Sequence, residues 1–352
     1  MDIDETRLHA FMGSLLGDMG GAVTVAMMCL GEELGLYEAL DGQGPTTPDD
    51  LAARAGCNPR LVREWADQQT AAGYLTYEET TDAYELPVEH GLALAQRQSP
   101  AYVAGGAWLF ASIFADLDRL VGAFRGDGGL AWGDHNPHLF RGTAEFLRPI
   151  YQHNLVDAWI PALDGIEQRL QAGVSVADVG CGHGVTSILM AQRFPASTFH
   201  GFDVHPPSVD SAREAAGIAG VADRVHVSVA QADTYGGTYE LICFFDCLHD
   251  MGDPEGIARH ARQHLDEGGS VLLVEPFALD ARSENHSVPT AKIFYGGSTA
   301  VCTPASLAQP VGKAMGAQAG PAAMRDVFAR AGFSVFEERA RTPFNVVYQA
   351  QV

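Results

Sequence analysis

The sequence predicts an α/β protein in which a doubly wound, mostly parallel sheet follows a mainly helical N-terminal domain. Three observations support this fold class. From residue 174 onward, short apolar strands alternate with helices, as they do in doubly wound sheets. A glycine-rich turn at 180–184 joins the first of these strands to a helix. Upstream, residues 48–90 follow the helix, turn, helix and hairpin order of a winged helix-turn-helix domain.

The N-terminal elements are predicted from apolar periodicity and turn residues. Apolar positions recur on one face over 8–40, which predicts a helix, and Gly42, Gly44 and Pro45 end it. Thr47 then caps a new helix that has Pro48 at its first position. The rest of this domain is predicted as a helix over 60–72 and hairpin strands over 75–77 and 84–86.

The charge of the winged-helix segment argues against DNA binding. Between Thr46 and His90 there are three Arg and no Lys, against nine Asp and Glu residues. A phosphate backbone requires the opposite balance. We therefore predict a module for interaction or dimerisation. A regulator that binds DNA through this module stays as the less favoured alternative.

Composition and charge indicate a soluble cytoplasmic protein. The chain has 352 residues, a formal net charge of −22 and six cysteines, too few for a disulfide framework. The negative charge disfavours nucleic acid and anionic membranes as partners. The chain does not start like a signal peptide, and its longest uncharged apolar segment, 101–115, is too short to span a bilayer.

Three parts are expected along the chain. They are a helical, winged-helix dimerisation-type domain over 1–100, a helical linker and pocket-lid segment over 101–172, and a sheet domain over 173–352. The middle segment is rich in aromatic residues and includes a predicted long amphipathic helix over 149–172. Candidate substrate-pocket residues from this segment and beyond are Trp132, Phe146, Tyr151, Asn154, Tyr295 and Asn345.

The sheet domain has seven predicted strands. They lie at 175–179, 198–203, 225–230, 241–245 and 270–275, with two more near 333–339 and 345–351 after a helix around 324–331. The glycine turn after the first strand contains Gly180, Gly182 and Gly184, and such turns let a ligand approach the backbone closely. Because a bare glycine pattern is a weak signal, its surroundings decide its interpretation.

Three carboxylates surround this predicted crevice. Asp178 precedes the glycines, Asp203 ends the second strand, and Asp233 follows the third. A carboxylate at the end of the second strand can accept hydrogen bonds from ribose hydroxyls. A diphosphate prefers helix-end donors, whereas three acids suit a cofactor that carries a positive sulfonium and an amino group.

With these features the chain resembles the class I S-adenosylmethionine-dependent methyltransferases. More narrowly, it is similar to winged-helix small-molecule methyltransferases of actinobacterial type, which are related to O-methyltransferases. The stretches that carry the resemblance lie at 176–185, 201–205, 245–254, 274–276, 302–309, 316–320 and 342–347. The resemblance implies a Rossmann-like sheet of seven strands with the last antiparallel, S-adenosyl-L-methionine as cofactor, and a homodimer formed through the N-terminal domain.

The same resemblance implies which residues bind the cofactor. Its methionine end would lie along 178–184, its ribose on Asp203 and its adenine near Asp233. The full set of implied cofactor-binding residues is Asp178, Gly180, Cys181, Gly182, Gly184, Asp203, Val204, Ala232, Asp233 and Phe245.

The acceptor chemistry is predicted from Leu248-His249-Asp250, which follows the fourth strand. A strand-end histidine in a crevice is an expected acid–base site, and a hydroxyl acceptor benefits from a general base. The run is similar to the Leu-His-Asp run of O-methyltransferases, which implies that His249 deprotonates the acceptor. We therefore predict methyl transfer to a small-molecule hydroxyl, with His249 and Asp250 as the catalytic residues. Transfer to carbon or nitrogen is less favoured.

Two alternatives remain open at this point. A histidine beside a carboxylate supplies two ligands of a facial metal triad, and His286 or Cys302 is the candidate third ligand. Similar folds include C-methyltransferases of α-keto acids that use such a metal, although no metal is predicted by default. The other alternative is a fold relative that binds the cofactor but catalyses rearrangement or decarboxylation.

Overall fold

The computed structural model describes residues 3–126 and 128–352. The chain folds into two compact units. The first comprises Met1–Phe114 and Pro137–Pro149, and the second comprises Ala115–Asn136 and Ile150–Val352. The segment predicted as a linker and lid, 101–172, is therefore divided between both units.

The first unit is mainly helical and contains one small hairpin. Its elements are α1 (Glu5–Glu33), α2 (Leu36–Leu40), α3 (Pro48–Ala55), α4 (Pro59–Ala71), β1 (Thr76–Glu78), β2 (Ala83–Glu85), α5 (Val88–Leu94) and α6 (Ala107–Ala115). The single helix predicted over 8–40 is wrong, because Gly35 adopts a φ of 66° and separates α1 from α2. Glycine enters this left-handed region without steric cost.

The winged-helix elements form as predicted. The backbone N–H of Asp50 donates to the Thr47 hydroxyl at 3.2 Å, so Thr47 caps α3. The antiparallel pairing of β1 with β2 forms the wing. Tyr37 from α2 and Trp65 from α4 pack edge to face in the core of this unit, with ring centroids 5.2 Å apart.

The second unit is built around a seven-stranded sheet in the order β5-β4-β3-β6-β7-β9-β8. Its strands are β3 (Ser175–Val179), β4 (Thr198–Asp203), β5 (Val225–Val229), β6 (Tyr239–Phe245), β7 (Leu265–Pro276), β8 (Val335–Arg341) and β9 (Asn345–Gln351). The first five strands run parallel, and β9 lies antiparallel between β7 and β8. The predicted fold class is confirmed, including the antiparallel last strand.

The helices of the chain from residue 115 onward connect these strands or precede the sheet. They are α7 (Leu117–Arg125), α8 (His138–Asn154), α9 (Ile166–Ala172), α10 (Val185–Arg193), α11 (Pro206–Ile218), α12 (Pro254–His264), α13 (Arg282–Asn285), α14 (Ala291–Gly297), α15 (Thr303–Leu307) and α16 (Gly320–Ala331). The sheet carries the core of this unit, where the central positions of β3, β6 and β7 are almost fully buried. Such near-continuous apolar strands are expected in a parallel sheet covered on both faces.

The long helix predicted over 149–172 is wrong. The structure has α8, then a π-helical turn over Leu155–Trp159, then an irregular stretch before α9. Pro161 cannot continue a helical hydrogen-bond ladder, and Gly165 adopts a φ of 70° at the start of α9. The apolar spacing that suggested one helix therefore belongs to two.

All six cysteines are free. By length and composition alone, α1 is long and apolar enough to cross a membrane, although the core helix of a soluble protein passes the same test. Only 17% of its most apolar 18-residue window is buried in the structure. This exposed apolar helix was not anticipated from the sequence.

Candidate functional site

The glycine turn lies at the carboxyl end of β3 and begins α10. Gly180, Gly182 and Gly184 have φ angles of 76°, 51° and 73°, a region that favours glycine. A Cβ on Gly180 would also lie only 2.9 Å from the sulfur of Cys247. The turn therefore requires glycine at its first position for two independent reasons. Cys181 within it is buried, and burial raises the pKa of its thiol, which disfavours the reactive thiolate form.

Asp178 is buried beneath the turn and holds the start of α10. Its Oδ2 accepts hydrogen bonds from the hydroxyls of Thr186 at 2.6 Å and Ser187 at 2.7 Å. Burial raises the pKa of Asp178 to about 6. Its Oδ1 is buried and has no hydrogen-bond partner within the described residues. A ligand amino group in the crevice would satisfy that oxygen.

Asp203, at the end of β4, ties the glycine turn to the neighbouring strand. Its Oδ2 accepts from the N–H of Gly182 at 2.8 Å, and its Oδ1 accepts from the N–H of His205 at 2.9 Å. Burial raises the pKa of Asp203. Because each carboxylate oxygen has two lone pairs, both can still accept from a ligand hydroxyl.

The remaining predicted cofactor residues border the same edge of the sheet. Val204 and Asp233 are exposed, Ala232 is half-buried, and Phe245 is buried at the end of β6. Tyr235, two residues after Asp233, lies in the core and is 2% exposed. Its ring stacks on that of Phe202, with the centroids 5.0 Å apart.

A second cluster follows β6 and begins with Asp246. This residue has a φ of 50°, which is uncommon for a residue other than glycine and is found where surrounding contacts enforce it. Its carboxylate accepts hydrogen bonds from the Tyr151 hydroxyl and from Nδ2 of Asn345, both at 2.7 Å. Burial raises the pKa of Asp246 to about 7.

His249 lies three residues further on, in a short 3₁₀ turn over Leu248–Asp250. It is 3% exposed, and its Nδ1 pairs with Oε2 of Glu275, which is equally buried at the end of β7. Burial alone would lower the pKa of His249, but its interactions with Glu275 and Cys302 raise it well above its ordinary value. His249 does not cap the following helix, since the side chain of Asp253 does so.

Asp250 and Cys302 approach His249 on its other side. One ligating atom from each of the three residues lies within 4.8 Å of the other two. Burial raises the pKa of Asp250 to about 7. The alternative third metal ligand, His286, is exposed and contacts the ring of Tyr295 at 5.6 Å between centroids. Of the two candidates, the structure brings only Cys302 to His249 and Asp250.

The structure brings two of the predicted substrate residues together. Tyr151 and Asn345 meet at Asp246, but the amide of Asn154 donates at 2.7 Å to the carbonyl of Ile150 in its own helix. Each of the other three has its own surroundings. Trp132 is half-buried with its ring 6.5 Å from that of His135, and the hydroxyl of Tyr295 is buried. Phe146 packs on Phe110 within the first unit.

Sequence reasoning missed two residues of this site, Asp246 and Glu275. Both directly follow or end a buried strand, and the strand-end rule that singled out His249 applies to them equally. Asp246 and Glu275 lie in the stretches 245–254 and 274–276, so the signal was available. The sequence did not show which distant residue each of these two carboxylates pairs with.

Two protein families match this chain. Residues 151–314 match a methyltransferase domain, and residues 21–96 match an Rv2258c-like winged HTH domain. Among curated proteins, ribosomal RNA small subunit methyltransferase C of Yersinia pestis (strain Pestoides F) is 30% identical over 125 residues. That match covers 32% of this chain and spans only 36% of the length of the relative.

Solved structures resemble the chain over nearly its whole length. Human N-acetylserotonin methyltransferase in complex with SAM has a TM-score of 0.70 at 17% identity, over 99% of this chain and 98% of that one. An O-methyltransferase family protein from Burkholderia thailandensis has a TM-score of 0.69 at 18% identity, over 97% and 98% of the two chains. At such identities the likeness establishes the fold.

Proposed function

Because the chain carries a methyltransferase domain behind an Rv2258c-like winged HTH domain, we propose that it methylates a hydroxyl group of a small molecule, with S-adenosylmethionine as the donor. The observation that supports this activity best is the buried pair of His249 and Glu275 at the carboxyl edge of the sheet. A histidine held by a carboxylate at this edge is suited to accept a proton from a bound hydroxyl.

The residues around the glycine turn fit the cofactor. When bound, S-adenosylmethionine supplies an electrophilic methyl group on a positively charged sulfur. We assign its amino group to the free Oδ1 of Asp178, its ribose hydroxyls to Asp203 and its adenine to the surface near Asp233. The raised pKa values of Asp178 and Asp203 have burial as their largest cause, and a positive ligand beside these carboxylates would favour their charged forms.

His249 is the proposed general base. Its Nδ1–H donates to Glu275, which leaves the lone pair of Nε2 to accept the proton of the acceptor hydroxyl. The resulting imidazolium is stabilised by the carboxylate of Glu275. Because the pKa of His249 is raised in the free protein, His249 must first lose its proton, and positive charge in the neighbouring crevice promotes that loss.

Tyr151 and Asn345 are proposed to position the acceptor rather than to move protons. Both donate to Asp246, so their side chains are fixed beside the turn that carries His249. Fixing an acceptor in near-attack geometry supplies much of the rate of a displacement reaction. Trp132, Phe146, Asn154 and Tyr295 remain predictions as substrate contacts.

Methyl transfer from labelled S-adenosylmethionine to a panel of phenols and other hydroxyl compounds tests the proposal. On the acceptor that responds, His249→Ala is expected to lower kcat by about 10²–10⁴-fold, the usual contribution of a general base. His226→Ala, an exposed histidine on β5, serves as the control and is expected to leave kcat unchanged. Full activity of His249→Ala, with normal cofactor binding, would refute the base.

A second candidate function is metal-assisted C-methylation of an α-keto acid. The approach of His249, Asp250 and Cys302 to one another favours it, because these residues would hold an ion that supplies Lewis-acid chemistry. Mass spectrometry and NMR of the product distinguish a new C–CH₃ bond from a new O–CH₃ bond. A regulatory role through DNA is tested separately by a gel shift at low salt, where no binding is expected from the acidic winged helix.

We also propose that the protein is a homodimer, assembled through α1. This helix leaves many large apolar side chains exposed, among them Phe11, Leu16, Met19, Val23 and Leu30. A Cβ added at Gly13, Gly17 or Gly21, spaced four residues apart, would contact nothing within 4 Å. That spacing lets a second helix pack closely against this one. The net charge of −22 disfavours an anionic membrane as the partner.

Sedimentation velocity of the full chain tests the dimer. Leu16→Glu is expected to shift the protein from dimer to monomer, while Ile218→Glu, at an even more exposed apolar residue on α11, is expected to leave the dimer intact. A monomeric wild-type protein that binds liposomes would overturn the proposal in favour of a membrane. The six free thiols are consistent with a reducing compartment, and we propose the cytoplasm.

A further inference from the structure

We infer that Tyr151, Asp246 and Asn345 form a binding site for a protonated amine on the acceptor molecule, so that the preferred acceptors are hydroxyl compounds that also carry an amino group. This amine site rests on the proposed function, because it concerns the acceptor of that methyl transfer. Three features of the cluster support it: its rigidity, the hydrogen-bonding groups that it leaves for a ligand, and its uncompensated charge.

The cluster is held in place by three separate parts of the second unit. The ring of Tyr151, in α8, packs against those of Trp159 and Phe245, with centroids 6.2 and 5.6 Å away. Asp246 directly follows β6, and Asn345 begins β9. The Tyr151 hydroxyl donates to Oδ2 of Asp246, and Nδ2 of Asn345 donates to Oδ1, both at 2.7 Å. A ligand therefore meets a preformed set of polar groups, which lowers the cost of binding it.

The hydrogen bonds inside the cluster use most of its donors. Tyr151 has one proton to donate, and Asp246 accepts it. Asn345 donates one of its amide N–H groups to the same carboxylate. Oδ1 of Asn345 is buried and has no hydrogen-bond partner within the described residues. Each carboxylate oxygen of Asp246 also keeps a lone pair, as does the phenol oxygen. Except for the second N–H of Asn345, every group that remains for a ligand is an acceptor.

The carboxylate of Asp246 has no positive partner of its own. The residue is half-buried, and no lysine or arginine pairs with it in the part of the chain that the structure describes. The neighbouring pair of Glu275 and His249 does not supply that charge, because Glu275 raises the pKa of Asp246 by more than His249 lowers it. Since buried charges in proteins are normally paired, Asp246 is suited to bind a cation that a ligand brings.

A protonated amine fits this cluster. An ammonium group donates three hydrogen bonds, accepts none and carries the positive charge that Asp246 lacks. A carboxylate on the acceptor would instead place a second negative charge beside Asp246, and like charges in a buried site repel each other. The cluster should therefore favour a cationic acceptor over a neutral one, and a neutral acceptor over an anion.

Three phenols that differ in the charge of one side chain test the amine site. Tyramine is positive, 4-ethylphenol is neutral, and 3-(4-hydroxyphenyl)propanoate is negative. Each is titrated by calorimetry into the full-length protein saturated with S-adenosylhomocysteine, which leaves only the acceptor site free for the probes. A pH of about 8 keeps the amine protonated and the carboxylates ionised. Tyramine is expected to bind about 10–100-fold more tightly than 4-ethylphenol, as a hydrogen bond between charged groups predicts, and the propanoate is expected to bind most weakly.

Asp246→Asn separates the cluster from the general negative field of the protein. Asparagine keeps the size of the side chain and is one of the residues that most often adopt a positive φ, which is 50° at this position. The variant is expected to bind tyramine and 4-ethylphenol with similar Kd values. Glu240→Gln removes the same charge from β6 outside the cluster and is expected to keep the preference for tyramine. Measurements at about 0.15 M salt screen long-range attraction in all of these proteins.

The outcomes separate the amine site from the proposed function. Equal Kd values for the three phenols, undetectable binding of tyramine, or a preference that survives in Asp246→Asn overturns the amine site, even if phenols are methylated. Kd values ordered by charge, without methylation of any hydroxyl compound, support the amine site and contradict O-methylation. The order of the three Kd values in the wild type tests the site even if Asp246→Asn does not fold.

Discussion

Replacing Glu275 with glutamine is expected to slow methyl transfer while leaving S-adenosylmethionine binding unchanged. Glu275 is 3% exposed, and its Oε2 pairs with Nδ1 of His249. Glutamine keeps the size of the side chain and one oxygen acceptor. It removes the negative charge that stabilises the imidazolium formed when the acceptor hydroxyl loses its proton.

The size of the effect follows from this one hydrogen bond. A hydrogen bond to a charged group contributes about 1.5–3 kcal/mol. At about 1.36 kcal/mol per factor of ten in rate, Glu275→Gln should lower kcat by roughly 10–100-fold. Loss of His249 removes the base itself and costs about 10²–10⁴-fold. Because Glu275 acts through His249, the double variant should be as slow as His249→Ala alone.

Single-turnover rates with labelled S-adenosylmethionine, measured in chelator, provide the assay, and calorimetry gives the Kd of the cofactor. Glu240→Gln is the matched control, because Glu240 is a half-buried acid in β6. Its Oε2 accepts a hydrogen bond at 2.9 Å from the N–H of Ser175, the first residue of β3. It is expected to leave kcat unchanged. Rate losses that multiply in the double variant of Glu275 and His249 would refute positioning through the histidine.

Three further predictions concern stability of the cofactor-free protein, each measured by denaturant unfolding. Gly180→Ala should lower the free energy of unfolding for two reasons. The left-handed backbone of this position costs an alanine about 1–2 kcal/mol. Overpacking costs about 1–3 kcal/mol more, because the new Cβ would lie 2.9 Å from the sulfur of Cys247. Gly220→Ala, at a φ of 69° with open space around it, should show only the strain, and equal losses would contradict the packing argument. Burial raises the pKa of Asp178 from 3.8 to about 6, so its ionisation destabilises the folded chain progressively as pH rises from about 4 to 6. The free energy of unfolding of Asp178→Asn should therefore rise by about 3 kcal/mol relative to that of the wild type over this pH range. A difference between the two proteins that does not change with pH would contradict this prediction. Tyr151→Phe removes the donor to Oδ2 of Asp246, while Asn345 still donates to Oδ1, and should lower the free energy of unfolding by about 1–3 kcal/mol. An unchanged midpoint would show that Oδ2 is rehydrated.

Most of the sheet was predictable because its signals are local. The strands at 175–179, 198–203 and 345–351 have the predicted bounds, and the glycine turn sits where its spacing placed it. Apolar runs and glycine positions are properties of a few neighbouring residues. The two errors in helix length arose where a local break interrupted an apolar pattern that continued beyond it, at Gly35 and near Pro161.

The candidate site was predictable only in part. The strand-end position of His249 follows from the chain order, and so does that of Asp178. The hydrogen-bond partners of these two residues do not follow from the chain order. Glu275 lies 26 residues after His249, and the choice between His286 and Cys302 as its neighbour depends on how the segment after β7 folds back.

The sequence by itself therefore determined the α/β architecture, the winged-helix pattern and the strand-end residues of the crevice, because periodicity, turn chemistry and chain order act over short distances. Only the tertiary structure decided that Glu275 holds His249, that Tyr151 and Asn345 meet at Asp246, and that Cys302 approaches the histidine. Those contacts depend on strand register and on the return path of later segments. Neither is encoded in the spacing of residues along the chain.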